Sequence, residues 1–415
     1  MILCRLRPPE TGGRLRRRTT QHTTDGKTHM RARTNVAGFL LAVTLAACGG
    51  GDGTAAGGND EGSGESLTLG AMFAQTGDAA IFGESQINGV RLAVEEINGD
   101  GGVDGAQIDL LVEDTGSQNE QAINILQRFI NQDQVDVVVG PTLSAEGKAV
   151  APIANSAQVP IIGASWAAPT GTTDVGPYVW RVALTDGQNI PKAVEAAVER
   201  DGYETAALLF GSDDPFTQAG GEAFESAAQD TGIELVAIET FAAGDRDFSS
   251  QLTKIAAANP DALFVSATGE STASIVEQAR QAGIAVPIVG GNGFNTPTVP
   301  ENAGDAANGV IVAAAWDASS GADNPTNAAF IEAYTAEYNK APDQFAAQAY
   351  SAVYIIAEAA RLGGGTGREQ ILDGLKQVEN VDTPLGDFNF TEGRDADAEP
   401  VILEIQNGEY IRFES

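Results

Sequence analysis

Cysteine and histidine are nearly missing from this chain of 415 residues. Cys4 and Cys48 are its only cysteines, His22 and His29 its only histidines, and neither type occurs after residue 48. Beyond that point there can be no internal disulfide and no Cys/His zinc site. A histidine general base and the Ser-His-Asp and Cys-His nucleophile arrangements are excluded as well. Positive charge is also scarce, at 24 Lys and Arg against 57 Asp and Glu. Nine of the 24 lie in the first 47 residues, beside only Glu10 and Asp25, so the remainder holds 15 basic and 55 acidic residues, a net of −40. Such a polyanion makes a solubilising surface and excludes nucleic acid as a partner. Long apolar runs are missing too. The longest, over 36–45, is too short to span a membrane and has the length of a signal-peptide core.

That run follows a basic start (Arg14, Arg16, Arg17, Arg18, Arg31, Arg33) and ends in Leu45-Ala46-Ala47-Cys48. Small residues before a cysteine have the form of a bacterial lipobox, in which the Cys48 thiol takes the lipid. Residues 1–48 are therefore expected to be a signal peptide with lipobox. Met30-Arg31-Ala32-Arg33 already supplies a basic region, so translation starting at Met1 or at Met30 fits equally. Residues 49–66 are rich in Gly, Ser, Asp and Asn without apolar periodicity. They read as a flexible tether of on the order of 20–25 Å r.m.s. reach.

From Leu67 the composition is that of a globular body, with 42% apolar and 20% charged residues over the whole chain, and its length suits two or three domains. Apolar, often β-branched runs at 67–73, 108–112, 135–139, 160–164, 206–210, 235–238, 262–265, 287–289 and 309–313 predict buried parallel strands. Helical spacing intervenes: Ile87, Val90, Val94 and Ile97; then Ala122, Ile125, Leu126, Phe129 and Ile130; later Ile275, Ala279 and Ala282. Alternating strands and helices predict α/β architecture with right-handed crossovers, and the strands are too many for one sheet, so two lobes are expected. A mostly helical stretch over 325–378 follows. A closing hairpin is predicted over 400–413, turning at Asn407-Gly408.

Ligands in open α/β sheets bind beyond the carboxyl ends of the strands. Four such loops are rich in small and polar residues: 140–144, 165–167, 267–270 and 290–294. No catalytic constellation appears. Gly140 to Lys148 has the wrong glycine spacing for a phosphate loop, with Ala149 where Ser or Thr is needed. Residues 98–104 lack the third acidic ligand and final Glu of a calcium loop. No enzyme, metal or cofactor is expected.

Thr76-Gly77-Asp78-Ala79-Ala80-Ile81-Phe82-Gly83, Asn88-Gly89-Val90, Ala93-Val94-Glu95-Glu96-Ile97-Asn98 and Gly101-Gly102-Val103-Asp104-Gly105 occur in that order. Val139-Gly140-Pro141 with Ser144, Pro160-Ile161-Ile162, Asp245-Arg246-Asp247-Phe248-Ser249 and Glu277-Gln278-Ala279-Arg280-Gln281-Ala282-Gly283 continue the series. With these motifs the chain resembles, from Leu67 to about Arg412, the branched-chain amino-acid (Leu/Ile/Val) binding proteins of ABC transporters. The resemblance implies a two-lobed type I periplasmic-binding-protein fold, each lobe a parallel sheet flanked by helices, joined by three crossover strands. It places one lobe at 67–185 and 317–393 and the other at 186–316 and 394–415. It implies a lipid-anchored, extracytoplasmic monomer that captures a small polar molecule by lobe closure and delivers it to a membrane permease.

The resemblance also implies a site. Ser144 matches the position whose hydroxyl and backbone hold a ligand carboxylate, Ser165 a backbone contact, and Phe82 an aromatic at the cleft mouth. Several positions depart from the pattern. Ala167 stands where a Thr hydroxyl is usual, Phe216 near a usual Tyr, Thr268 in place of an aromatic, and Asn292 where a carboxylate commonly receives the ligand ammonium. Glu270 or another acid would then have to substitute, because a buried ammonium needs a counter-charge. Otherwise the ligand is an amide, a urea-like compound or a small carboxylate without an α-amino group. Trp166, beside Ser165, is a candidate to stack on the ligand or to pack in its lobe. A ligand-sensing receptor subunit would share the fold.

Overall fold

The computed structural model describes residues 66–319 and 324–413. The predicted signal segment, Cys48 and most of the tether lie outside the described residues. The body opens with β1 (Leu67–Phe73), α1 (Ala80–Gly99), β2 (Ile108–Asp114), α2 (Asn119–Arg128), β3 (Val137–Val139), α3 (Ser144–Ser156), β4 (Ile161–Gly163) and β5 (Val179–Arg181). These five strands form one sheet in the order β2-β1-β3-β4-β5, and every pairing is parallel. After α4 (Asp186–Asp201) come β6 (Thr205–Gly211), α5 (Pro215–Thr231), β7 (Glu234–Phe241), α6 (Ser249–Ala258), β8 (Ala262–Ser266), α7 (Glu270–Gln281), β9 (Ile288–Gly290), α8 (Thr298–Ala303) and β10 (Val310–Ala314). Helices α9 (Pro325–Tyr338), α10 (Gln344–Gly363) and α11 (Arg368–Leu375) follow, then the two-stranded β11 (Val381–Thr383) and β12 (Gly386–Phe388). The described chain closes with β13 (Val401–Gln406) and β14 (Glu409–Arg412).

The second sheet runs β14-β13-β10-β9-β8-β6-β7. The five strands from β10 to β7 are parallel, while β13 and β14 extend the β10 side antiparallel. The closing hairpin turns on Asn407 and Gly408, both at positive φ, as a two-residue turn between twisted strands requires. The chain passes from the first sheet to the second between β5 and β6. It returns between β10 and α9, whose neighbours include α1, and passes again between β12 and β13.

Period-two alternation explains how both sheets are covered. In β1, Leu67, Leu69, Ala71 and Phe73 face the core shared with α1 and α10, and Met72 faces the core under α2 and α3. In β8, Leu263 and Val265 face one side, Ala262 and Phe264 the other. Ile87, Val90, Val94 and Ile97 are all buried against the first sheet, as their spacing predicts. Ala282, placed on the same predicted face as Ile275 and Ala279, is instead exposed where α7 ends.

The strands missed from sequence are the short pair β11 and β12 and, in the first sheet, β5, whose Val179-Trp180-Arg181 carries a fully buried arginine. Arg181 Nε and Nη2 both donate to Asp395 Oδ1, at 2.9 and 2.6 Å. Its Nη1 donates to the carbonyls of Ala168 (2.6 Å) and Trp166 (3.2 Å) and to Thr172 Oγ1 (3.3 Å). Burial pulls the Arg181 pKa down, and Asp395 works against that pull. The guanidinium thereby clamps the loop after β4 to the segment that leads into β13. Replacing it with methionine removes the counter-charge of Asp395, which keeps only its bond from Thr173 Oγ1, and leaves two carbonyls without this donor. Arg181→Met should cost about 3–5 kcal/mol, read as a lower urea midpoint at unchanged slope. An unshifted midpoint would show the clamp to be dispensable.

Candidate functional site

The loops after β3, β4, β8 and β9 converge with the first turns of α1, α5 and α10. A hollow of about 30 Å³ lies among them. Phe82, Thr142, Leu143, Ser144, Ser165 and Phe345 line it from elements around the first sheet. Phe216, Thr268, Asn292 and Gly293 line it from elements around the second. Its volume suits one or two waters. Thr268 also borders an adjoining chamber of about 210 Å³, whose lining includes Asp78, Asp213 and Arg246. The two sides stand close there: a Cβ on Gly269 would lie 2.9 Å from the Asp78 carbonyl oxygen.

One side-chain network sets the first-sheet side. Gln86 of α1, fully buried, donates from Nε2 to Ser165 Oγ and accepts at Oε1 from Thr142 Oγ1, each at 2.7 Å. Ser165 Oγ in turn donates to the Thr142 carbonyl at 2.7 Å, and Thr142 Oγ1 accepts from the Ala74 N–H at 2.9 Å. The Ser165 hydroxyl is thus committed to the scaffold. Gly83 lets α1 begin against the end of β1, since a Cβ there would meet the Ala74 carbonyl oxygen at 1.9 Å. That fixes Phe82, whose ring packs on Phe345 with centroids 4.5 Å apart.

Ser144 opens α3. Its Oγ accepts from the Ala168 N–H at 3.3 Å, which leaves the hydroxyl hydrogen to donate. Glu146 Oε2 accepts from the Leu143 N–H at 3.0 Å, and burial raises the Glu146 pKa. Unpaired N–H groups of a helix start, beside a hydroxyl, suit a carboxylate. The hollow therefore has a donor end at Ser144 and an apolar end at Phe82, Phe345 and Phe216.

The second-sheet side is tied by Gln344. Its Nε2 donates to Asn292 Oδ1 (2.7 Å) and to the Asn292 carbonyl (3.1 Å). Its Oε1 accepts from Asn295 Nδ2 and the Ala315 N–H, both at 3.1 Å. Below this loop lies Asp186, the first residue of α4 and fully buried. It accepts the Asn292 N–H on Oδ1 at 3.3 Å, and burial pushes its pKa up to about 7.

Of the residues singled out from sequence, Phe82, Ser144, Ser165, Phe216, Thr268 and Asn292 are brought together around the hollow. Trp166 is a correction. It is fully buried in the core with α2 and α3, and its indole N–H donates to the Pro141 carbonyl at 2.7 Å. Its ring lies so close to Gly147 and Gly163 that a Cβ on either would approach it to 2.6 and 2.3 Å. It faces away from the hollow and cannot stack on a ligand there. Ala167 is buried behind the lining, where its carbonyl accepts the Asp186 N–H at 3.1 Å. Glu270 opens α7, and its side chain lies outside the described part.

Sequence reasoning missed Gln86, Gln344, Phe345 and Asp186. A signal for the last was present: Thr185 and Gln188 have capping-box spacing, and they exchange side-chain and backbone hydrogen bonds at the start of α4. Among the described residues no group of three or more His, Cys, Asp or Glu could hold a metal ion, and no helix is long and apolar enough to cross a membrane.

The Periplasmic binding protein family matches over residues 66–409. The leucine-, isoleucine-, valine-, threonine- and alanine-binding protein of Pseudomonas aeruginosa is 28% identical over 322 residues, 77% of this chain and 84% of that protein. The branched-chain amino acid transporter substrate-binding protein LivJ of Streptococcus pneumoniae, solved with isoleucine, superposes with a TM-score of 0.78 at 29% identity, covering 83% of this chain and 98% of its own. The leucine-binding protein LivK of Thermotoga maritima gives 0.79 at 26% identity, covering 84% and 98%.

The Gln86 network can be tested without any ligand. Gln86→Leu keeps the volume and removes both polar ends, leaving Thr142 and Ser165 each short of a partner. Stability should fall by roughly 1–3 kcal/mol. Amide hydrogen exchange should quicken at Ala74 and Ala168, the N–H groups held by Thr142 and Ser144. Native exchange rates at both positions would show that the loops hold themselves.

Proposed function

The chain belongs to the periplasmic binding protein family, and from that premise we propose that it is the extracytoplasmic substrate-binding component of an ABC importer that captures a branched-chain or closely related small amino acid. The observation that carries this reading is the polarity of the hollow. Ser144 and the start of α3 present donors at one end, while Phe82, Phe345 and Phe216 present an apolar wall. Fixed donors replace the hydration of a carboxylate, and the aromatic wall takes an aliphatic side chain. The relatives from Pseudomonas aeruginosa and Streptococcus pneumoniae carry such ligands in their names. Binding proteins of this family are not enzymes.

The two lobes, 67–185 with 317–393 and 186–316 with 394–415, would close on the ligand about the three passages between them. The ligand enters the outer chamber and settles past Thr268 as the loops give way. The closed form would then dock on a membrane permease as a monomer. Cys48 would carry the lipid, with residues 49–66 as its tether.

A second reading has its own support. Among the described residues the lining of the hollow contains no carboxylate. Asn292 is engaged by Gln344, and Ala167 offers no hydroxyl. A small carboxylate, amide or urea-like ligand would need neither.

A thermal-shift series separates the two readings. Leu, Ile or Val at millimolar concentration should raise the melting temperature, since a ligand bound only by the folded state stabilises it by RT ln(1 + [L]/Kd). Response only to compounds without an α-amino group would favour the second reading. In titrations with the responding ligand, Ser144→Ala should lose about 1.5–3 kcal/mol of binding with little change in melting temperature. Unchanged affinity would remove Ser144 from the site. Cys48→Ser should move the protein from the membrane fraction to the soluble fraction of bacterial cells, and retention on membranes would remove the lipid anchor.

A further inference from the structure

Three buried side chains beneath the second-sheet loops have polar atoms without partners. Asp186 Oδ2 accepts nothing, Ser266 Oγ at the end of β8 has no bond, and neither polar atom of Asn189, one turn along α4, is engaged. The first two converge on Gly220 of α5: a Cβ there would lie 2.2 Å from Ser266 Oγ and 3.0 Å from Asp186 Oδ2. A Cβ on Gly291 would stand 3.4 Å from both Asp186 oxygens. Two glycines thus keep the space around one buried carboxyl clear.

The surroundings of that carboxyl are otherwise neutral. Gly220 approaches it from α5 beside Ser266 of β8, Gly291 and Asn292 from the loop after β9, and Ala167 from the loop after β4, while Asn189 lies one turn along its own helix. None of these titrates. Among the described residues no charge acts on it, and the Asn292 N–H is the one contact favouring its ionised form. A carboxylate in such a place is poorly compensated, and burial raises its pKa to about 7. Its Oδ1 accepts the N–H of Asn292, which with Gly293 lines the hollow, and among the described residues that lining holds no acid.

We infer that Asp186 is the counter-charge for an ammonium group of the ligand, acting across the Gly291–Asn292 peptide, and is thereby a positioning residue that selects amine-bearing ligands. The inference rests on the reading of the hollow as the ligand site. Its chemistry is a simple proton balance. In the free protein below about pH 7 the side chain is a neutral acid. When a cation binds nearby, the O–H bond breaks, the proton leaves to solvent and the carboxylate remains beside the ammonium, which keeps all its protons.

Isothermal titration of the purified protein with leucine, in buffers of different ionisation enthalpy, reads that proton directly. Release approaching one proton per ligand is expected at pH 6, and little at pH 8. Asp186→Asn should abolish the release and weaken leucine roughly 10- to 100-fold. It should leave the matching 2-oxo acid, which lacks the amine, bound as in the native protein. Leucine binding by the native protein without proton release at pH 6 would overturn the inference. So would release that persists in the Asn variant, or leucine affinity unchanged in it. If the variant does not fold, the native titration decides alone. A native protein that binds the 2-oxo acid but not leucine overturns the counter-charge while leaving the hollow as the site. Binding of neither would remove the amino-acid reading itself.

Discussion

Parallel strands leave the backbone groups of their carboxyl ends without ladder partners, and where these ends are buried something else must satisfy them. On the first sheet that need falls on one amide. Gln86 bonds the hydroxyls of Thr142 and Ser165, and through them the Ala74 N–H and the Thr142 carbonyl. The ends of β1, β3 and β4 are therefore tied to α1, and α1 is tied to β1 by the close approach at Gly83. Phe82 and Ser144 keep their places because the loops behind them cannot shift separately. On the second sheet Gln344 has the same part: it reaches from α10 to Asn292, Asn295 and Ala315. Two glutamines, neither exposed to solvent, thus hold both walls of the hollow.

Among the described residues no charged side chain lies between the walls. Acids close to the hollow sit behind it, each against backbone N–H groups: Glu146 against Leu143, Asp214 against Phe216 and Thr217, Asp186 against Asn292. Burial raises the pKa of all three. A body with a net charge of −40 past residue 47 would seem poorly suited to an anionic group. Surface charges more than about 8–10 Å away are largely screened at physiological salt, however, while a helix start and a hydroxyl act at contact distance. Local donors can therefore govern recognition in a strongly acidic protein.

Much of the architecture was legible because buried parallel strands are apolar on both faces and their helices repeat at 3.6 residues. Leu67–Phe73 needed no more than its own apolar run, and the Asn407-Gly408 turn no more than its two residues. What escaped were polar residues in buried places. β5 was hidden by Arg181, which reads as surface until Asp395, 214 residues away in sequence, supplies its partner. Trp166 suggested a ligand-facing ring because nothing local announces that Gly147 and Gly163 make room for it in the core. Gln86 and Asp186 look like ordinary helix residues in sequence. Their importance comes from what crosses to them, from Ser165 in one case and Asn292 in the other. The loops at the strand ends could be found by rule, but the side chains that hold those loops could not.

The same reasoning accounts for an acid lying under a loop instead of in the lining. A carboxylate exposed to the hollow would repel the carboxylate of an amino acid as readily as it attracted the ammonium. Asp186 instead lies beneath the Asn292 peptide, whose N–H it accepts, and burial favours its neutral form in the free protein. A bound ammonium would shift that balance toward the carboxylate. Below about pH 7 the free site then holds little buried anion, and the proposed discrimination between an amine and its neutral analogue comes from an ionisation that only one of them can induce.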